Sequence, residues 1–177
     1  MTVAQPSAPR RVMLRHAVLR SNCVGRVRSV AALAGALMLS WASDATAVAP
    51  LGRYLLTPST VHDRATGLTW QRAHTASKTW AEADAICAAL TLDSKAWRLP
   101  TIREIESLID RRAVGTRKVD LIAFPEMAAA DAPSHFWSST TMASNTGYTW
   151  SGRFDNGGNT ATLRSYTLAV RCVRTGP

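Results

Sequence analysis

The sequence predicts one α+β domain of about 130 residues behind a basic leader, and three observations carry that expectation. Segments 79–90 and 101–109 open on capping boxes and repeat their apolar residues at helical spacing. Segments 60–71 and 148–173 alternate apolar and polar residues with period two, broken by turn residues, as antiparallel strands do. The first 47 residues have the layout of an export signal.

That leader carries six arginines against Asp44, a net charge of +5. Arg26 and Arg28 precede the apolar run Val30–Leu39, and Ala45-Thr46-Ala47 supplies a small-x-small site, so cleavage is expected after Ala47. The run is far shorter than the ~20 residues of a membrane span, which leaves an uncleaved short anchor as the other reading. Met13 offers a second start. Removal of 1–47 leaves fifteen basic and eleven acidic side chains, a net of +4. That is a moderate charge, suited to anionic surfaces; without an arginine stripe, nucleic acid is not an expected partner.

Residues 48–59 read as a lead-in, with Pro50 and Pro58 discouraging regular structure. A hairpin follows, Thr60–Asp63 turning at 64–67 into Leu68–Gln71, with Leu68 and Trp70 on one face. In the first helix Thr79 caps and Glu82 reaches back, and Trp80, Ala83, Cys87 and Leu90 form the apolar stripe. Pro100 stops the next segment and Thr101 with Glu104 opens the second helix. Its apolar face is Ile102, Ile105, Leu108 and Ile109, and Arg103, Glu104, Glu106 and Arg111 face water. Residues 112–135 are a long irregular connection, of a length that is either functional or anchored by its own contacts. Tyr148, Trp150, Gly152 and Phe154 then alternate with polar residues, Asp155–Asn159 supplies a hairpin turn, and Thr160–Arg164 returns. A last strand, Leu168–Val173, puts Leu168, Val170 and Cys172 on one face.

The leader takes Cys23 with it and leaves Cys87 and Cys172, an even pair. In an exported domain of this size such a pair is commonly bridged; two separately buried thiols are the alternative. A bridge over more than eighty residues would contribute about 4 kcal/mol in the chain-entropy account.

Catalytic signatures are wanting. The sequence holds no Gly-x-Ser-x-Gly elbow, no His-Glu-x-x-His and no phosphate-cradling loop. His62, His74 and His135 are scattered, Glu104 and Glu106 point in different directions on a helix, and Tyr166 stands where an EF-hand loop beginning at Asp155 would need its bidentate acid. No enzyme, metal or cofactor is expected. Trp70 and Trp80 fall on apolar faces and Trp97 and Trp137 in structural-looking motifs. Trp150 beside a polar hairpin is the ambiguous one: a core residue, or an indole that stacks on sugar with Arg153 and Arg164 pairing acidic groups.

Five motifs in register, Asp63-Arg-Ala-Thr-Gly-Leu-Thr-Trp-Gln71, Thr79-Trp-Ala-Glu-Ala83 with Cys87, Trp97-Arg-Leu-Pro-Thr-Ile-Arg-Glu104, Phe136-Trp-Ser-Ser-Thr-Thr141 and Val170-Arg-Cys-Val-Arg174, resemble the Lcl C-terminal domain family over residues 53–174. The resemblance implies a C-type-lectin-like fold, two helices packed on a twisted, mostly antiparallel sheet, and a Cys87–Cys172 bridge. It also implies an adhesin-like module for carbohydrate, glycosaminoglycan or another anionic surface, although the collagen-like repeats and the calcium-dependent sugar signatures of true C-type lectins are missing here. The expectation is therefore an exported, periplasmic or secreted binding domain with Trp150, Arg153 and Arg164 as ligand contacts. The alternative is an assembly domain docking to another cell-envelope protein.

Overall fold

The computed structural model describes residues 49–177; the expected export signal, its cleavage site and Cys23 lie outside the described residues. In chain order the strands and α-helices are β1 (Tyr54–Leu56), β2 (Thr60–Asp63), β3 (Leu68–Gln71), β4 (Thr75–Lys78), α1 (Trp80–Ala89), α2 (Ile102–Leu108), β5 (His135–Thr141), β6 (Tyr148–Arg153), β7 (Asn159–Leu163), β8 (Leu168–Val170) and β9 (Val173–Thr175). The fold is α+β, as the alternating periods indicate. The strands form two sheets, ordered β1-β2-β3-β9 and β4-β8-β5-β6-β7, antiparallel except where β5 runs parallel to β8.

The expected hairpin forms as β2 and β3, with Val61 opposite Trp70 and Asp63 opposite Leu68. Its turn depends on Asp63, whose carboxylate accepts the Ala65 N–H at 2.9 Å, and on Gly67 in the left-handed region at φ +69°. Asp63 is fully buried and takes two hydrogen bonds from Arg53, at 3.0 and 2.7 Å. That pair draws the lead-in onto the sheet as β1, a strand that the flanking prolines did not suggest.

Both capping boxes are present, at Thr79 with Glu82 and at Thr101 with Glu104. Helix α1 buries Ala83 and Cys87, and α2 buries Ile105 and Leu108. The two helices serve opposite faces of the second sheet. Phe136 of β5 belongs to one core with Ile105 of α2, Trp70, Phe124 and Phe154. Its neighbour Trp137 belongs to another with Cys87 of α1, Trp97 and Leu99. Successive strand residues point to opposite faces, so β5 serves both cores at once, and Ala169 and Val170 of β8 repeat the device.

Two expectations are corrected. The sheet is divided in two, and the last strand is not continuous: it breaks at Arg171-Cys172 into β8 in the second sheet and β9 in the first. Arg171 is the physical reason. Buried, it donates to the carbonyls of Gln71 and Arg72 and to Glu126, and these partners turn the chain from one sheet to the other. Leu168, Val170 and Cys172 nevertheless all face the α1 core, as their spacing indicated.

The connection 112–135 is anchored by its own contacts. Lys118 N–H donates to the Phe154 carbonyl at 2.7 Å, Asp120 accepts from the Ile122, Ala123 and Ala49 N–H groups, and Val119, Phe124 and Met127 enter the core. A short 3-10 turn at Pro125–Ala128 carries Glu126 to Arg171.

Cys87 and Cys172 are bonded, their Cα atoms 5.3 Å apart and 85 residues apart in sequence. Cys172→Ser should lower the unfolding free energy by about 2–5 kcal/mol under oxidising conditions, and thiol titration of the folded parent should find neither cysteine; an unchanged thermal midpoint would contradict the bridge. Gly152 gives a second expectation. A Cβ there would lie 2.3 Å from Cγ2 of Ile105, so Gly152→Ala should cost about 1–3 kcal/mol by overpacking. Adding Ile105→Ala should recover part of that loss in a denaturant-unfolding double-mutant cycle.

Candidate functional site

The strand β6 decides what each side of the second sheet presents. Tyr148, Trp150 and Gly152 alternate to one side, and Thr149, Ser151 and Arg153 to the other. Gly152 lets α2 approach closely. Two residues back, Trp150 is half-buried and lines an open groove of about 370 Å³ with Ile102, Arg103 and Glu106 of α2, Thr140 of β5 and Asn159 of β7.

Glu106 is the polar centre of this groove. Asn159 Nδ2 donates to its Oε1 at 2.6 Å, Arg111 stands 3.6 Å from the same oxygen, and Arg103 4.0 Å from Oε2. The Arg103 side chain is 89 % exposed, so its guanidinium has donors left for a ligand. Thr140 is not free in the same sense, because its hydroxyl accepts the Ile102 N–H at 3.0 Å and helps to seat the start of α2. The groove thus sets an indole beside guanidinium and amide donors and one carboxylate acceptor.

The three expected contacts are not brought together. Arg153 and Arg164 belong to the other side of β6, near its two ends. Arg153 makes a two-point pair with Asp155, at 3.1 and 2.7 Å, on the turn before β7. Arg164 donates to the hydroxyls of Thr149 at 2.9 Å and Thr141 at 2.6 Å, with its guanidinium 3.9 Å over the Trp80 ring. Thr149 and Ser151 are fully buried, whereas Tyr148 and Trp150 are only half-buried, the reverse of what apolar alternation suggests. Segment 164–167, crossing from β7 to β8, and Trp80 account for this: they lie over the hydroxyl side, and the Ser151 hydroxyl is satisfied by the Thr160 carbonyl at 3.0 Å. Sequence reasoning missed Arg103, Glu106 and Asn159 as neighbours of Trp150. The water-facing side of α2 held the signal for the first two; Asn159 read only as a turn residue.

Histidines stay apart from the groove. His74 is beside Glu126, 3.7 Å away, and edge-on to Phe136. Burial pushes its imidazole pKa below the ordinary value, and Arg171 adds to that. His135, opposite Arg153 in the ladder, is pushed down by burial and then by that arginine. Among the described residues no group of three or more His, Cys, Asp or Glu side chains is placed to hold a metal ion.

Fold and groove together define a small disulfide-stapled α+β domain with an open, aromatic-floored recess. The sequence model of the Lcl C-terminal domain matches residues 59–174, and the chain belongs to that family. No curated protein matches it.

The groove depends on how α2 begins. Burial pushes the Glu104 carboxyl up, but the Arg98 guanidinium, bonded at 2.8 and 2.6 Å, and the Thr101 N–H at 2.8 Å outweigh it and hold the group below the usual carboxylate range. Its contribution to stability is therefore complete above the unfolded value of about 4.3 and is lost as pH falls through the lower folded value. Glu104→Gln should cost about 1–2 kcal/mol at neutral pH and flatten the acid limb of stability measured by urea unfolding between pH 6 and 3. An acid limb identical to the parent's would show that this carboxylate carries none of it.

Proposed function

We propose that this domain is an exported, non-enzymatic binding module of C-type-lectin-like fold that recognises carbohydrate, with anionic sugars preferred, at the Trp150 groove. The observation that carries the reading is the half-buried indole beside the Glu106–Asn159–Arg103 set. Large aromatic faces stack on sugar rings, and the polar rim selects among hydroxyl and acidic substituents. Arg103 and Arg111, with the net charge of +4 over residues 48–177, favour sulfated or carboxylated units. Two helices, two mostly antiparallel sheets and a bridge from the first helix to the C-terminal strands are in keeping with the lectin-like assignment.

Export to the periplasm or the medium, with cleavage after Ala47, is part of the proposal. It accords with the leader's arginines and apolar run and with a disulfide that an oxidising compartment would keep. An adhesin-like role follows from that location, since the groove would face the outside. In this reading Arg153 and Arg164 shape the turn and the crossover of the hairpin and do not touch ligand.

Glycan-array binding of the oxidised protein, with heparin and other sulfated glycosaminoglycans included and read at physiological and high salt, tests it. Trp150→Ala should weaken retained binding about tenfold or more, and Arg103→Ala should reduce its salt dependence. Arg153→Ala should leave affinity unchanged. No glycan retained at physiological salt, or full retention by Trp150→Ala, would refute the proposal.

A further inference from the structure

The same hairpin has an open main-chain edge, because β7 is the last strand of its sheet. Hydrogen bonds fix which way its backbone points. Arg164 N–H donates to the Gly147 carbonyl at 3.1 Å, and Arg153 N–H donates to the Gly158 carbonyl at 2.9 Å. Antiparallel ladders alternate bonded and non-bonded pairs. These two bonds therefore make Thr149–Thr162 and Ser151–Thr160 the bonded pairs of the ladder. Ala161 lies between them, opposite Trp150, so its N–H and C=O point away from β6. Asn159, two residues earlier, does the same.

Beside β7, next to the crossover to β8, lies a groove of about 370 Å³, lined by the four consecutive residues 160–163 together with His135, Tyr148, Tyr166 and Leu168. Tyr166 is 60 % exposed, a large ring with little cover. Just past the strand stands Arg164. Its charge meets the hydroxyls of Thr149 and Thr141 and the Trp80 ring, and no carboxylate among the described residues is paired with it.

We propose that β7 accepts an extended peptide segment of another protein as an added strand. Free backbone groups of an edge strand are complemented along their length by another main chain, and a side-chain pocket beside them is the geometry of strand addition. The incoming segment places a bulky apolar or aromatic side chain in the groove beside Tyr166 and Leu168. An acidic residue near that side chain meets Arg164. A second copy of this chain fits less well, because its own β7 offers Thr160, Ala161 and Thr162, which would leave the groove largely unfilled.

The test is a phage-displayed nonapeptide library selected on the oxidised full chain, followed by synthesis of the best peptide and of its form N-methylated at alternate residues. Selected sequences should pair an acidic residue with an aromatic or branched apolar one. The Ala161 amide should gain hydrogen-exchange protection on binding, and the N-methylated form should bind at least tenfold more weakly. Ala161→Pro removes only an outward-facing N–H, a substitution that edge strands tolerate, and should weaken the peptide by a similar factor. Failure to select any peptide, an unprotected Ala161 amide, or equal binding of the N-methylated form would overturn the proposal. So would a dimer that Ala161→Pro dissolves, which would make the partner a second copy. Displacement of the peptide by a soluble glycan that contacts Tyr166 would make this edge a sugar site instead.

Discussion

An arginine sealed in the interior sets terms that the rest of the molecule meets. A guanidinium removed from water is tolerated only when its donors are occupied and its charge is compensated. Arg171 finds the carbonyls of Gln71 and Arg72 at the end of β3, the carboxylate of Glu126 on the 3-10 turn, and the faces of Phe124 at 4.3 Å and Phe136 at 5.5 Å. These partners come from three parts of the chain, so one side chain ties together the first sheet, the long connection and β5. Its position between Val170 and Cys172 also fixes where the chain leaves the second sheet, which sets Cys172 opposite Cys87 and lets β9 close on β3.

Much of this was legible where the determinants are local. The hairpin at 60–71 and both helix starts need only neighbours in sequence, and the turn and capping residues named them. The faces of Leu168, Val170 and Cys172 were legible from their period, and with them the surroundings of the bridge. Elements that exist only through pairing were not. β1 contains Leu55 and Leu56, both exposed, and forms because Arg53 pairs with buried Asp63. β4 reads Thr-Ala-Ser-Lys and forms against β8, across a shift in register. Local pattern likewise could not reveal that Leu168–Val173 serves two sheets, since the break comes from partners of Arg171 that lie 45 to 100 residues away.

The same division holds for the site. Trp150 stood out as an indole that polar neighbours left ambiguous, and it does line a groove. The residues around it come from α2 and β7, and the bond between Asn159 and Glu106 spans 53 positions. The side of β6 that each arginine occupies follows from period two; the cover over Thr149 and Ser151 does not, because it is made by Trp80 and the crossover at 164–167. The hairpin β6–β7 thus has two unlike sides: one shaped by a glycine that admits a helix, the other by hydroxyls folded under an arginine and an indole.

The disulfide divides the chain in a way that bears on mechanical load. Every residue lining the Trp150 groove lies between Cys87 and Cys172, inside the covalent loop. A pull on the two ends of the domain runs through β1, β2, β3 and β4, along α1 to Cys87, across the sulfur–sulfur bond, and out through the three residues of β9. The residues between the two cysteines lie off that covalent path, so tension on the ends cannot draw them out while the bridge holds. A force that opens the first sheet therefore leaves the chain of the groove at its folded length.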